Sequence, residues 1–299
     1  MMKVFIFGAG YSGKAFARAN AAGAQVVGTT RSLEKFASLA ASGARPLRFE
    51  GQLTDGIAGE LADTTHLVVS IAPDEAGDPV LSAARDHIAG KMPALRWIGY
   101  LSTVGVYGDH GGGWVDESAE CRPVSARSRR RVEAERAWLD FGGELARPVA
   151  VLRLSGIYGP GRNAFVNLAN GTAKRLIKPG QVFNRIHVED IAAVLRHLAE
   201  RETGGIFNVT DDLPAPPQDV VAHAASLMGV EPPPEIPFET AELSPMARSF
   251  YGENKRVSNA AIRREGFAFR FPDYRVALEA MWRDGNWADG EARSPMKRS

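Results

Sequence analysis

The sequence predicts an α/β fold, a doubly wound parallel sheet with a smaller C-terminal lobe, on three observations. Short runs that are apolar at nearly every residue alternate with longer helical patterns through the first two thirds of the 299 residues. A Gly-x-Gly-x-x-Gly string, Gly8 to Gly13, stands between the first run and the first helical stretch. Beyond Leu154 glycine- and proline-rich turns break the rhythm.

The runs are KVFIF (3–7), QVVGT (25–29), RPLRF (45–49), HLVVSI (66–71), WIGYLS (97–102) and VAVLRL (149–154). Continuous rather than alternating hydrophobicity suits strands covered on both faces, as in a parallel sheet with helical crossovers. Between the runs, residues 13–22 are alanine-rich, Ser32 can cap a helix ending near Gly43, and Asp78-Pro79 makes a cap and first-turn pair for a helix reaching Gly90. After the sixth run, SGIYGPGRN (155–163) and KPGQ (178–181) are turn segments, and DDLPAPP and EPPPEIP hold too much proline for regular sheet. The run IFNV (206–209), with helical patterns at 188–200 and 219–228, returns the chain to the sheet. The expected division is a sheet domain at 1–155 and 181–210 and a small lobe at 156–180 and 211–285. A loose tail is expected at 286–299, where DGEARSPMKRS has no apolar period.

Composition narrows the function. Thirty-six basic against 35 acidic side chains give a net charge of +1, which supplies no overall field for nucleic acid or anionic lipid, so neither is an expected partner. No apolar stretch approaches the ~20 residues of a membrane span, and the N-terminal run is too short for a signal peptide. The single cysteine, Cys121, rules out an internal disulfide framework and fits a reducing, cytoplasmic location. His66, His87, His110, His197 and His223 lack metal-ligand spacing, and no metal is expected.

Placed between a strand and a helix, the glycine string has a mechanical reading. Gly8 allows the tight turn, Gly10 lets backbone approach a pyrophosphate, and Gly13 lets helix pack on strand. Tyr11 and Ser12 lie at the helix N-terminus that would face the phosphates. At the end of the second run, where NAD enzymes carry a carboxylate for the adenine ribose, the chain reads Gly28-Thr29-Thr30-Arg31-Ser32. Arg31 can hold a 2′-phosphate and Thr30 or Ser32 can donate to it, so NADP is the expected cofactor rather than NAD. A solvated Arg31 beside a helix start is the alternative. Ser70, Ile71 and Ala72 after the fourth run, and Thr103 after the fifth, complete the expected cofactor-facing set.

These residues resemble the short-chain dehydrogenase/reductase superfamily, specifically its extended and atypical members, the NAD-dependent epimerase/dehydratases. The likeness runs from about Val4 to Leu278. It rests on LSTVGVYGD (101–109), LRLSGIYGPGR (152–162), RIHVEDIA (185–192), IFNVTDDLP (206–214) and KRVSNAAIRREG (255–266). It implies that Thr103 orients a substrate oxygen and that a small lobe closes over the substrate cleft. By their places in these blocks, Arg153, Arg162 and Arg185 are candidates for anion contacts. Family members often pair through the helices flanking the fifth strand, so a homodimer is implied over 79–90 and 125–141, with Val132, Trp138 and Leu139 as an apolar seam or as core.

Two departures from the pattern matter. Phe7 stands where extended members place their first glycine. The family's catalytic tyrosine and the lysine four residues after it are replaced by Arg127 and Arg131, since no tyrosine lies between Tyr107 and Tyr158 and no lysine between Lys91 and Lys174. Arginine stays protonated, so Arg127 cannot act as a phenol does, whereas Arg131 can still donate to a ribose hydroxyl. Being four apart on a helix, the two are expected to hold an anionic group of a bound ligand together. Tyr107 and His187 are the other proton-transfer candidates, each with a structural alternative, a packed aromatic and a hydrogen-bonded core histidine. Tyr251 and Lys255 have the literal tyrosine–lysine spacing but lie in the small lobe, and are read as coincidence. Two functions follow: an NADP-dependent oxidoreductase or epimerase/dehydratase acting on a small polar or anionic metabolite, sugar- or sugar-nucleotide-like, or an NADP(H)-binding redox sensor or scaffold without catalysis.

Overall fold

The computed structural model describes residues 1–288, apart from the side chains of 245–247. Seven parallel strands form its main sheet. They are β1 (Met2–Phe7), β2 (Ala24–Thr30), β3 (Ala44–Arg48), β4 (His66–Val69), β5 (Trp97–Thr103), and the strands Val149–Leu154 and Gly205–Val209. The spatial order is Gly205–Val209, Val149–Leu154, β5, β4, β1, β2, β3. The chain winds outward in both directions from β1, and the crevice at the carboxyl ends of β1 and β4 is the place where such sheets take ligands.

Each expected run became a strand; the side chains are nearly all covered in the central strands, whereas β3 at the sheet edge leaves Arg45 and Arg48 exposed. The core on one face gathers Phe5, Phe7, Phe49, Leu67, Tyr100, Trp138, Phe141 and Val151. The helices follow the crossovers. Helix α1 (Tyr11–Asn20) starts at Gly10. The pattern at 32–43 divides into a 3-10 turn, Leu33–Lys35, and a short α2 (Phe36–Ala40) that ends before Gly43, whose φ of +86° is left-handed. Helix α3 (Asp55–Leu61), capped by Thr54, lay outside the sequence reading. Helix α4 (Pro79–Lys91) begins as expected, the Asp78 carboxylate accepting from the amides of Val80 at 2.9 Å and Leu81 at 3.0 Å.

Helix α5 (Ala126–Leu145) is capped by Ser125, whose hydroxyl accepts from the Ser128 amide at 3.1 Å. Its inner face carries Arg131, Glu135 and Trp138, all buried. The Glu135 carboxylate receives Arg153 through Nη2 at 2.7 Å and Nε at 3.1 Å, and the Ser102 hydroxyl donates to its other oxygen. This buried pair pins α5 to β5 and to the strand Val149–Leu154. The outer face of α5 is charged, with Arg129, Glu133, Arg136, Asp140 and Glu144 exposed. Of the three residues expected to form an apolar seam or core, Trp138 is wholly buried and Leu139 packs on the same core, whereas Val132 is half-buried.

The chain divides into two compact units, one of Met1–Val106, Cys121–Leu154 and Ile191–Val209, the other of Tyr107–Glu120, Ser155–Asp190 and the residues from Thr210 onward. Two segments assigned above to the sheet domain, 107–120 and 181–190, group with the second unit instead. In the first, the Lys255 ammonium donates to the Gly108 carbonyl at 2.6 Å, Asp109 accepts from the Asn254 amide at 2.7 Å, and Trp114–Val115 pairs with Arg256–Val257. In the second, Arg185–His187 pairs with Gly156–Tyr158. The expected tail begins too early. The Trp287 carbonyl accepts from the Gly161 amide at 2.9 Å and from Asn163 Nδ2 at 2.7 Å, and its ring stacks on Trp282. The rest of the tail, 289–299, lies outside the described residues.

Removing one partner of a buried pair leaves an uncompensated charge. Arg153→Met is therefore expected to lower the unfolding free energy by about 3 kcal/mol, and adding Glu135→Leu should recover most of that loss. Urea titration of both variants measures it; equal losses would show that the pair is not what holds α5.

Candidate functional site

The turn from β1 to α1 is built by close approach. Gly8 has φ +83°, and a Cβ on it would stand 2.7 Å from Ile71 Cγ1. Its amide donates to Thr29 Oγ1 at 2.9 Å, and the Ala9 amide to the Thr29 carbonyl at 2.8 Å, which ties the turn to β2. A Cβ on Gly13 would lie 3.2 Å from Ala9 Cβ. Gly10 differs. A Cβ there would meet only the Gly8 carbonyl, at 4.0 Å, so the protein's own packing gives no reason for a glycine. Gly10 is also the N-cap of α1 and offers no side-chain acceptor, so the amides of the first turn are available to an anion. The residues present fit the pyrophosphate of a dinucleotide.

Around this turn the structure places the other expected cofactor residues. Ile71 and Ser70 face Gly8 across the β1–β4 edge, the Ser70 amide donating to the Phe7 carbonyl at 2.9 Å; Ala72 is exposed. Tyr11 is half-buried and Ser12 buried. Arg31 is exposed and makes no hydrogen bond or ion pair among the described residues, and Thr30 and Ser32 beside it are half-buried. Sequence reasoning missed Thr29 and Gly28. A Cβ on Gly28 would stand 2.7 Å from Ala9 Cβ. The signal was a glycine inside an apolar run, which marks close approach of another backbone.

Thr103 ends β5, and its Oγ1 accepts from the Gly105 amide at 3.1 Å, which leaves its own proton for a ligand oxygen. Gly105, also missed, keeps space open there: a Cβ would sit 3.3 Å from Ser128 Oγ and 3.4 Å from Thr103 Oγ1. The two arginines at the family's tyrosine and lysine positions are not brought together. Arg127 is exposed in the first turn of α5, whereas Arg131 is buried, with Nη1 donating to the Leu101 carbonyl at 2.5 Å and reaching the Tyr100 hydroxyl at 3.3 Å. The expected anion clamp is corrected to one fixed cation held against the end of β5. Arg153 is likewise committed to Glu135 and is no candidate for an anion contact.

In the second unit Tyr107 is wholly buried. His187 is also buried, packed on Phe271 at 4.1 Å and edge-on to Tyr158 at 5.4 Å. Its Nδ1 accepts from the Glu189 amide at 3.3 Å, which places the proton of the neutral ring on Nε2. Burial, reinforced by the nearby Arg270 charge, pushes His187 down to about 4. A cavity of about 340 Å³ is lined by Arg162, Arg185, Tyr158, Asn167 and Tyr274, with Val220, Val221 and Leu278 as its apolar wall. Arg185 donates from Nη1 to the carbonyls of Phe183 at 2.9 Å and Ala215 at 3.0 Å, leaving Nε and Nη2 without an acceptor among the described residues. The Tyr158 hydroxyl is buried with no partner among the described residues, and burial raises its pKa, so it stays a neutral donor. Lys255 is tied to Gly108 and Glu253, and Tyr251 packs on Phe183 and Phe238, which gives that chance tyrosine–lysine spacing a structural role.

Comparison with known proteins places this geometry. The family described as NAD dependent epimerase/dehydratase matches residues 4–210. Protein YeeZ of Escherichia coli strain K12 is 30% identical over 291 residues, covering 91% of this chain and 97% of YeeZ. A solved structure of a functionally unknown conserved protein from Silicibacter pomeroyi is 48% identical with a TM-score of 0.87, covering 95% of this chain and 99% of that one. The human epimerase family protein SDR39U1, solved with NADPH, shares the fold at 18% identity and a TM-score of 0.69, over 95% and 100% of the two chains. With its sheet order, its glycine turn and most of its length thus accounted for, the chain belongs to the NAD-dependent epimerase/dehydratase family of the extended short-chain dehydrogenase/reductases.

Proposed function

We propose that the protein binds NADP(H) and acts as an oxidoreductase or epimerase/dehydratase-like enzyme on a small polar or anionic metabolite, sugar- or sugar-nucleotide-like, through a non-standard active site. The observation that carries this reading is Gly10, where an added methyl would meet no side chain of the protein, at the N-terminus of α1 that no side chain caps. Arg31, which follows the place where an NAD enzyme has a carboxylate and makes no hydrogen bond or ion pair among the described residues, supports the 2′-phosphate, and the NADPH held by the human neighbour agrees with it. The cavity with Arg162 and Arg185 supports a ligand of negative charge. Cys121, the only cysteine, supports a cytoplasmic location.

In this reading Gly8, Gly10, Tyr11, Ser12 and Gly13 hold the pyrophosphate, Thr30, Arg31 and Ser32 the 2′-phosphate, and Ser70, Ile71 and Ala72 flank the middle of the cofactor. When bound, the nicotinamide supplies or accepts a hydride. The Thr103 hydroxyl donates a hydrogen bond to a substrate oxygen, and the Arg131 guanidinium orients the ribose side. His187 is neutral throughout the physiological range and Tyr107 is wholly buried, so proton transfer is left to water. A redox sensor without catalysis is the second reading, favoured by one observation: Arg127, exposed at the acid position, cannot cycle a proton. Hydride exchange with any member of a carbonyl panel separates the two.

Three measurements test the assignment. In calorimetric titrations, Arg31→Asp should weaken NADPH at least about tenfold and leave NADH unweakened; equal effects on both would count against the 2′-phosphate. Gly10→Ala should lower the melting temperature by only a few degrees, about the cost of alanine in place of glycine at an N-cap, while weakening both nucleotides, because the added methyl meets the ligand and no side chain of the protein. A variant that binds as before would remove Gly10 as the phosphate contact. For His187, whose pKa is depressed on folding, the sign is that stability is full above the unfolded value near 6.5 and is lost as pH falls toward 4. Between pH 7 and 4.5 that loss is roughly 2–3 kcal/mol, and His187→Gln should abolish it in urea titrations at the two pH values.

A further inference from the structure

Arg48 is the last residue of β3, and the parallel register pairs it with Thr30, the last residue of β2. Ladder partners project to the same face of a sheet, on strands about 4.8 Å apart. Thr30 stands where an NAD enzyme would carry its ribose-binding carboxylate. Here that place holds a short hydroxyl, followed along the chain by Arg31 and flanked across the ladder by Arg48. The Arg48 guanidinium is exposed, and its Nη2 meets Glu50 Oε1 at 2.8 Å, the two side chains being 52% and 54% accessible. An exposed pair of this kind contributes little, so the guanidinium can leave a carboxylate for a phosphate dianion at small cost.

We propose that Arg48 is a second cationic residue for the 2′-phosphate, acting across the ladder from Thr30, and that Glu50 competes with the phosphate for it. The inference rests on the NADP reading above. It differs from a contact to the adenine ring, on which an arginine can also stack, because NADH carries the same adenine and lacks the phosphate.

The test is calorimetric titration of the wild-type chain, Arg48→Ala and Glu50→Gln with NADPH and with NADH, each variant's fold being checked by circular dichroism. Arg48→Ala is expected to weaken NADPH about tenfold and leave NADH unchanged, and Glu50→Gln to tighten NADPH about threefold with NADH again unchanged. Unchanged NADPH binding in Arg48→Ala, or an equal loss for both nucleotides, overturns the proposal while the wild-type preference stands. A wild-type chain that does not distinguish the two nucleotides overturns the NADP reading, and this inference with it. Should Arg48→Ala fold poorly, Glu50→Gln decides: tightening supports the role of Arg48 and unchanged binding overturns it.

Discussion

The first unit depends on how closely three strand ends approach one another at the β1–α1 turn. Gly8 lies against Ile71 at the end of β4, Ala9 lies against Gly28 in β2, and Thr29 accepts from the Gly8 amide through its hydroxyl and from the Ala9 amide through its carbonyl. A methyl group at Gly8 or Gly28 would fall 2.7 Å from a neighbour, well inside contact distance. This fit fixes where α1 begins and which way its first amides point. It also brings the end of β2, with Thr30 and Arg31, to the same edge of the sheet. A cofactor site results from packing, before any side chain dedicated to a ligand is considered.

Much of this was legible from residue type and spacing. Continuous apolar runs mark strands covered on both faces, and Asp78-Pro79 caps its helix as the chemistry requires. What escaped was tertiary. Thr29 and Gly28 matter through contacts with Gly8 and Ala9, about twenty positions away; nothing local to QVVGT announces Thr29, and Gly28 leaves one sign, a glycine inside an apolar run. The two arginines of α5 share a helical face in the sequence pattern, yet only Arg131 is drawn inward, because the Leu101 carbonyl and the Tyr100 hydroxyl accept from it while Arg127 lies in the exposed first turn. Arg153 was read as a ligand contact for lack of any sign that Glu135 would meet it. The reassignment of 107–120 comes from pairings with 254–257 that no local pattern encodes.

In the second unit, burial holds His187 neutral and keeps the Tyr158 phenol protonated. Near neutral pH neither group gains or loses a charge. Fixed dipoles of this kind orient and polarise a neighbour well and exchange protons poorly.

The interleaving of the two units bears on synthesis. The strand Val149–Leu154 is buried along its whole length, and its outer neighbour, Gly205–Val209, leaves the ribosome some fifty residues later. At about 5–20 residues per second this apolar edge stays unpaired for several seconds, long enough to recruit a wrong partner. The hydrogen bonds that Lys255 and Asn254 donate to Gly108 and Asp109 close still later, over separations of 147 and 145 positions. A nascent chain of this architecture is most exposed to aggregation between the emergence of its sixth and seventh sheet strands, which makes that interval the one in which chaperone engagement has most effect on yield.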